Sequence, residues 1–150
     1  MDKQPQILVV DDDETIRTTM KAILQDEGYI VDLAATGKEA IQKTQEKNYN
    51  IALLDIRLPD MEGIELLKLL KDGIPKTRKI MVTGYPSMQN AISAVNKNAD
   101  AYLLKPVDVE KLLQMIKEQL FAQEAEMKFS EQKVADFIET RVKEISTNTL

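Results

Sequence analysis

Ile7-Leu8-Val9-Val10-Asp11-Asp12-Asp13-Glu14 passes from four consecutive apolar residues directly into four acidic ones. A run this short and this uniformly apolar suits a strand covered on both faces, as in a parallel sheet. Working outward, Ile51-Ala52-Leu53-Leu54, Ile80-Met81-Val82 and Ala101-Tyr102-Leu103-Leu104 read the same way. A fifth run, Ile30-Val31-Asp32-Leu33-Ala34, carries an Asp and belongs nearer an edge. The intervening segments have helical spacing: Ile16, Met20, Ile23 and Leu24; Ala40, Ile41 and Thr44; Ile64, Leu67 and Leu70; Ile92 and Val95; Val109, Leu112, Leu113, Ile116 and Leu120. Strand and helix alternate five times, and right-handed βαβ crossovers then give an α/β fold with a doubly wound, five-stranded parallel sheet.

That unit closes near residue 121, so the expected division is a domain over 1–121 and a helical extension over 122–150. In the extension Val134, Phe137, Ile138, Arg141, Val142 and Ile145 form one more amphipathic stripe. The helix is either continuous with the one before it or broken near Ser130. An apolar stripe left over once the sheet is covered calls for a second surface, and a homodimer is the simplest source. Folding back onto its own domain, contact with a downstream effector and a linker role are the other uses for it.

Composition removes whole classes of chemistry. The 150 residues contain no Cys and no His, so disulfides, thiolate nucleophiles, imidazole bases and the usual zinc sites are excluded. Any reaction must run on carboxylates, hydroxyls, Lys and backbone. The net charge of -5 has the wrong sign for nonspecific attraction to nucleic acid or anionic lipid. No basic arm or helix-turn-helix is evident, no run approaches the length of a membrane span, and Met1 to Gln6 shows no signal-peptide pattern. A cytoplasmic location without direct nucleic-acid or membrane binding is expected.

Ligands of open parallel sheets bind beyond the carboxyl ends of the strands. There the sequence sets Asp11, Asp12 and Asp13 after the first strand, Asp55 after the third, Thr83 after the fourth, and Lys105-Pro106 after the fifth. Asp13 also reads as a helix N-cap. Crowded carboxylates repel unless a cation lies among them, and oxygen ligands without His or Cys favour Mg²⁺. With a Lys and a Thr hydroxyl added, the set suits a phosphate.

These residues resemble the receiver domains of two-component response regulators, over roughly Gln6 to Phe121. The resemblance rests on Asp11-Asp12, Asp55, Thr83, Lys105-Pro106, Tyr102 three residues before the Lys, and the loop Ile56-Arg57-Leu58-Pro59-Asp60-Met61-Glu62-Gly63. The Asp55 loop and Val82-Thr83-Gly84-Tyr85-Pro86 are similar to those of NtrC-like activators. The resemblance implies a flavodoxin-like strand order of 2-1-3-4-5 and a phosphoacceptor signalling domain rather than a classical enzyme, although one that assists its own phosphorylation and dephosphorylation. Asp55 would take a phosphoryl group from a sensor histidine kinase or phosphotransfer protein. Asp11, Asp12, Asp55 and the backbone carbonyl of Arg57 would hold Mg²⁺, with Asp11 acting through the metal's water shell. Thr83, Gly84 and Lys105 would bind the phosphoryl group, Thr83 and Tyr102 would form a switch, Arg57 and Tyr85 would tune dephosphorylation, and Pro106 would follow a cis peptide. Two other readings stand beside this one. A phosphorylation-independent pseudo-receiver would use the same fold as a binding module. Asp11-x-Asp13-x-Thr15, with Met81-Val82-Thr83, also looks like the motifs of haloacid-dehalogenase-type phosphatases, but that reading leaves Asp55 without a role.

Overall fold

The computed structural model describes residues 3–84 and 99–148. Five strands, β1 (Gln6–Val10), β2 (Ile30–Ala34), β3 (Ile51–Asp55), β4 (Arg78–Thr83) and β5 (Ala101–Leu104), form one parallel sheet in the order β2-β1-β3-β4-β5. The helices are α1 (Glu14–Asp26), α2 (Gly37–Glu46), α3 (Gly63–Leu69) and α4 (Val109–Asn148). The helix expected around Ile92 and Val95 lies outside the described residues.

Alternation along the strands divides the core in two, because successive side chains point to opposite faces. Leu8, Val10, Ala52, Leu54 and Met81 face α2 and α3, meeting Ala40, Leu66, Leu67 and Leu70. Ile7, Val9, Ile51, Leu53 and Ile80 face α1 and α4, meeting Met20, Leu24, Leu112 and Ile116. β1 and β3 are buried along nearly their whole length. The run Ala101 to Leu104, which reads as covered on both faces, is instead an edge strand with only Leu103 buried. Periodicity reports the apolarity of a strand but not how many neighbours it has.

Local chemistry sets the helix ends. Asp13 caps α1, its Oδ1 accepting from the amides of Thr15 at 2.8 Å and Ile16 at 3.2 Å. Gly28, with φ at +93°, turns the chain from α1 into β2 through a left-handed conformation that side chains with a Cβ resist. In α2, Thr36 Oγ1 accepts from Glu39 N at 3.1 Å while Glu39 reaches back to Ala35 N, a reciprocal N-terminal cap. Asp108 accepts from Glu110 N at 2.9 Å at the start of α4.

α4 is one unbroken helix of 40 residues, running through Ser130 without interruption. Past residue 121 it still touches the body of the fold. Gln123 is 4% exposed; its amide nitrogen donates to the carbonyls of Asn50 (3.0 Å) and Lys76 (2.8 Å), and its oxygen accepts from the Asn50 side chain (2.9 Å). Glu126 pairs with Arg78 at 2.5 Å, and Arg78 also reaches Asp100 at 3.3 Å. Beyond these contacts residues 128–147 of the helix are exposed.

Gln123→Ala strips a partner from three polar groups in one buried place. Unfolding in urea should show a loss of about 2–3 kcal/mol with an unchanged slope, since each buried group left unsatisfied costs about 1–3 kcal/mol. A loss below about 0.5 kcal/mol would mean that this clasp is not what seats α4.

Candidate functional site

Asp11 follows β1 directly, and Asp55 ends β3, its hydrogen-bonded neighbour. Parallel register therefore carries both carboxylates to the same sheet edge, with Asp12 beside them. One oxygen from each of Asp11, Asp12 and Asp55 lies within 4.8 Å of the others. Asp11 and Asp55 are buried, at 4% and 7% exposure, whereas Asp12 is open to solvent. Lys105, just past β5, extends across the edge, and its Nζ lies 3.0 Å from Asp11 Oδ2 and 3.3 Å from Asp55 Oδ2. Asp12, Arg57 and Gly84 line the same cleft of about 560 Å³. Thr83 ends β4 with its side chain fully buried, and its carbonyl accepts from Lys105 N at 2.7 Å. The Lys105–Pro106 peptide is cis. Tyr102 stands on the edge strand at 40% exposure, paired with Met81 and so diagonal to Thr83. Tyr85 lies outside the described residues.

Charge at this edge is unbalanced. Burial raises the Asp55 carboxyl above the usual carboxylate range, and the negative charge of Asp11 adds to this, while the Arg57 amide (3.2 Å from Asp55 Oδ1) and Lys105 pull the other way. Burial works against the charge on Lys105, but Asp11 and Asp55 together outweigh it and raise its pKa. That both groups move upward follows from one ammonium serving two buried carboxylates: the Lys gains two partners and Asp55 receives part of one. With Asp12 included, three carboxylates gather around the Lys105 ammonium, and Arg57 also lines the cleft. An all-oxygen cluster with this deficit fits a hard divalent ion such as Mg²⁺. The phosphatase pattern gives Asp55 no such place beside Asp11.

The surrounding backbone is held by residues whose roles the sequence does not declare. Arg17 donates from Nη1 to the Asp11 carbonyl at 2.8 Å, and Asp13 N donates to Asp11 Oδ1 at 2.9 Å. The loop after Asp55 closes on itself through Leu58 N to Met61 O (3.2 Å) and Gly63 N to Ile56 O (2.7 Å). Gly63 is required there, because a Cβ would come within 2.3 Å of the Asp55 carbonyl and 2.9 Å of Ile56 Cα. Asp60 then ties the loop to α2, accepting from Gly37 N at 2.8 Å and Lys38 N at 3.0 Å. Those two amides hold its carboxyl below the usual range. Its partners are more than twenty residues away in the chain, so no local motif reveals the contact.

Comparison with known proteins agrees with this geometry. The family model for the response regulator receiver domain matches residues 7–117. Transcriptional regulatory protein ZraR of Klebsiella oxytoca is 41% identical over 118 residues, which are 79% of this chain and 27% of that protein. The chain thus matches about a quarter of the length of such relatives. Among solved structures, a CheY-like receiver domain protein from Methanospirillum hungatei JF-1 is 48% identical with a TM-score of 0.74, covering 83% of this chain and 99% of that one. NtrX from Brucella abortus, solved in complex with ATP, is 26% identical with a TM-score of 0.78, covering 87% and 30%.

Asp60→Ala should lower the thermal midpoint by a few degrees at neutral pH. The folded carboxyl titrates below its unfolded value near 3.9, so its contribution is complete above that pH and is lost as pH falls through the folded value. Melts of both proteins across an acid series should therefore converge. A gap that persists undiminished at the lowest pH would show that the Asp60 charge is not what holds the loop.

Proposed function

The chain belongs to the response regulator receiver domain family, and from that premise we propose that Asp55 accepts a phosphoryl group from a phosphohistidine on a sensor kinase or phosphotransfer protein. The observation that carries this reading is the meeting of Asp11, Asp12, Asp55 and Lys105 at one sheet edge. An Asp55 oxygen attacks phosphorus, a P–O bond forms, the P–N bond breaks, and the electron pair leaves with the imidazole nitrogen of the donor.

The electrostatic obstacle is the approach of a phosphoryl anion to a carboxylate already beside two others. Asp11, Asp12 and Asp55 with the Arg57 carbonyl are the residues that would hold Mg²⁺, and the bound ion supplies positive charge against that repulsion. Lys105 stands at the rim with its ammonium on Asp55, placed to follow the developing charge onto a phosphoryl oxygen. Gly84, lining the cleft beside Lys105, leaves its backbone N–H and the space above it open to the phosphate. The Thr83 hydroxyl is the remaining donor, and its movement toward the phosphate is the first step of output. Tyr102, diagonal to Thr83, responds by moving inward, which changes the face it shares with exposed Leu104. The output is a shift between two pre-existing states biased by contacts to phosphate. The surface it alters is where a downstream effector would be engaged.

Arg57 and Tyr85 are the positions assigned to the phosphoryl lifetime, and autodephosphorylation belongs to the same site. Residues 1–121 act as the receiver in this reading, with 122–150 as its helical extension. A cytoplasmic setting accords with an Asp chemistry fed by a kinase; among the described residues no helix is long and apolar enough to cross a membrane.

Intact-mass measurement with Mg²⁺ and a small phosphodonor tests the reading. Wild type should gain one phosphoryl group, Asp55→Asn none, and omission of Mg²⁺ should abolish the gain. Lys105→Ala should slow uptake on the order of 10²-fold, the usual cost of removing a preorganised charge partner. Equal labelling of wild type and Asp55→Asn would overturn the assignment and leave the chain as a binding module with an idle acidic cleft.

A further inference from the structure

Beyond the clasp of Gln123, the face of α4 that packs on the sheet continues into solvent without changing direction. Leu112 and Ile116 are fully buried on it. On the same side the stripe then runs Met127, Glu131, Val134, Ile138, Arg141, Ile145, at alternating steps of four and three. That is the spacing of a coiled-coil seam. Val134, Ile138 and Ile145 are more than half exposed. Where the stripe leaves the body, Ile74 and Pro75 form a wall beside Met127, Val134 and Ile138, enclosing a groove of about 660 Å³. Ile74 is 85% exposed.

We propose that this stripe and groove are covered by α4 of a second copy of the chain running antiparallel, with the two-fold axis at Asp136. The pattern is symmetric about that residue. Met127 and Ile145 lie nine positions on either side, Glu131 and Arg141 five, Val134 and Ile138 two. In an antiparallel pair every seam layer is therefore complementary: Met127 meets Ile145, Val134 meets Ile138, and Glu131 meets Arg141, each twice. A parallel pair would instead stack Glu131 on Glu131 and Arg141 on Arg141, two like-charge layers in the middle of the seam. Among the described residues Arg141 pairs with Glu144 at 3.3 Å, an exposed pair that costs little to exchange.

The groove fits the same arrangement. Opposite Met127 lies Ile145 of the other copy, so the last turns of each helix come to rest against the Ile74–Pro75 wall. The overlap of nineteen residues spans about 28 Å and leaves the two receiver bodies at opposite ends, clear of one another. Phe137, one residue from the axis, falls opposite Ala135 of the other copy.

Because the chain has no Cys, cross-linking reads the orientation directly. Glu131→Cys and Arg141→Cys variants of the whole chain are oxidised separately and mixed. Antiparallel pairing gives a dimer band only in the mixture, since like positions lie about 15 Å apart, beyond disulfide reach. Bands from each variant alone would show a parallel pair and overturn the proposal, as would a monomer by light scattering of wild type. Charge reversal is the second arm: Glu131→Arg should weaken dimerisation at least about tenfold, and adding Arg141→Glu should restore it, with circular dichroism confirming the fold. Weakening without restoration, or no weakening, also overturns the pairing.

Discussion

Three carboxylates facing one ammonium at the end of a parallel sheet is the constraint around which the rest of this molecule is arranged. Asp11 and Asp55 are buried, and buried like charges are costly unless something holds them in place. The sheet supplies the first part of that restraint, since β1 and β3 are buried along nearly their whole length and their register fixes the two carboxylates side by side. Lys105 supplies the second, and Arg17 fixes the Asp11 backbone from α1. The remaining imbalance is what suits the site to the proposed chemistry. A cluster fully neutralised by its own chain would have no use for a divalent ion or a phosphoryl group.

Support extends outward in layers that grow less visible in sequence. The strands, their order along the chain and the convergence of Asp11, Asp12, Asp55 and Lys105, with Thr83 at the end of β4, were legible because apolar periodicity and strand-end position are local signals. The roles of Asp60, Gly63, Arg17 and Gln123 were not. Asp60 looks like any turn acid until α2 brings Gly37 and Lys38 to it. Gly63 looks like one more loop glycine until Asp55 and Ile56 are seen to occupy the space of its missing Cβ. Gln123 falls beyond the last apolar residue of the packed helix, and a polar residue there reads as solvent-facing. Its three partners come from Asn50 and Lys76, on segments far away in the chain. Each of these contacts depends on tertiary proximity, which composition and spacing do not encode.

The unbroken course of α4 shows a different limit. No Gly or Pro interrupts Val109 to Asn148, so nothing local demanded a break at Ser130, but nothing local guaranteed continuity either. Exposed pairs such as Lys128 with Glu124 and Lys143 with Glu139 give a helix modest support. The anchored first half overcomes the cost of nucleation, and the rest propagates from it. Propagation explains why the tail is helical without explaining why its sheet-facing stripe stays mostly apolar after the sheet has ended. A helix needed only as a spacer could be polar all round.

Two deficits therefore remain once the chain has folded: one of positive charge at the sheet edge and one of apolar cover along α4. They share one element's end, because Lys105 and the first turn of α4 are separated only by Pro106, Val107 and Asp108. The chain that brings the ammonium to the acidic cluster thus runs on into the helix whose far half displays the stripe. In the proposed function the first deficit would be met by small ions and groups, and in the proposed pairing the second would be met by a surface as long as the stripe itself. Glu131 and Arg141 sharpen that second requirement, since two opposite charges in an otherwise apolar seam accept a partner only in an orientation that pairs them.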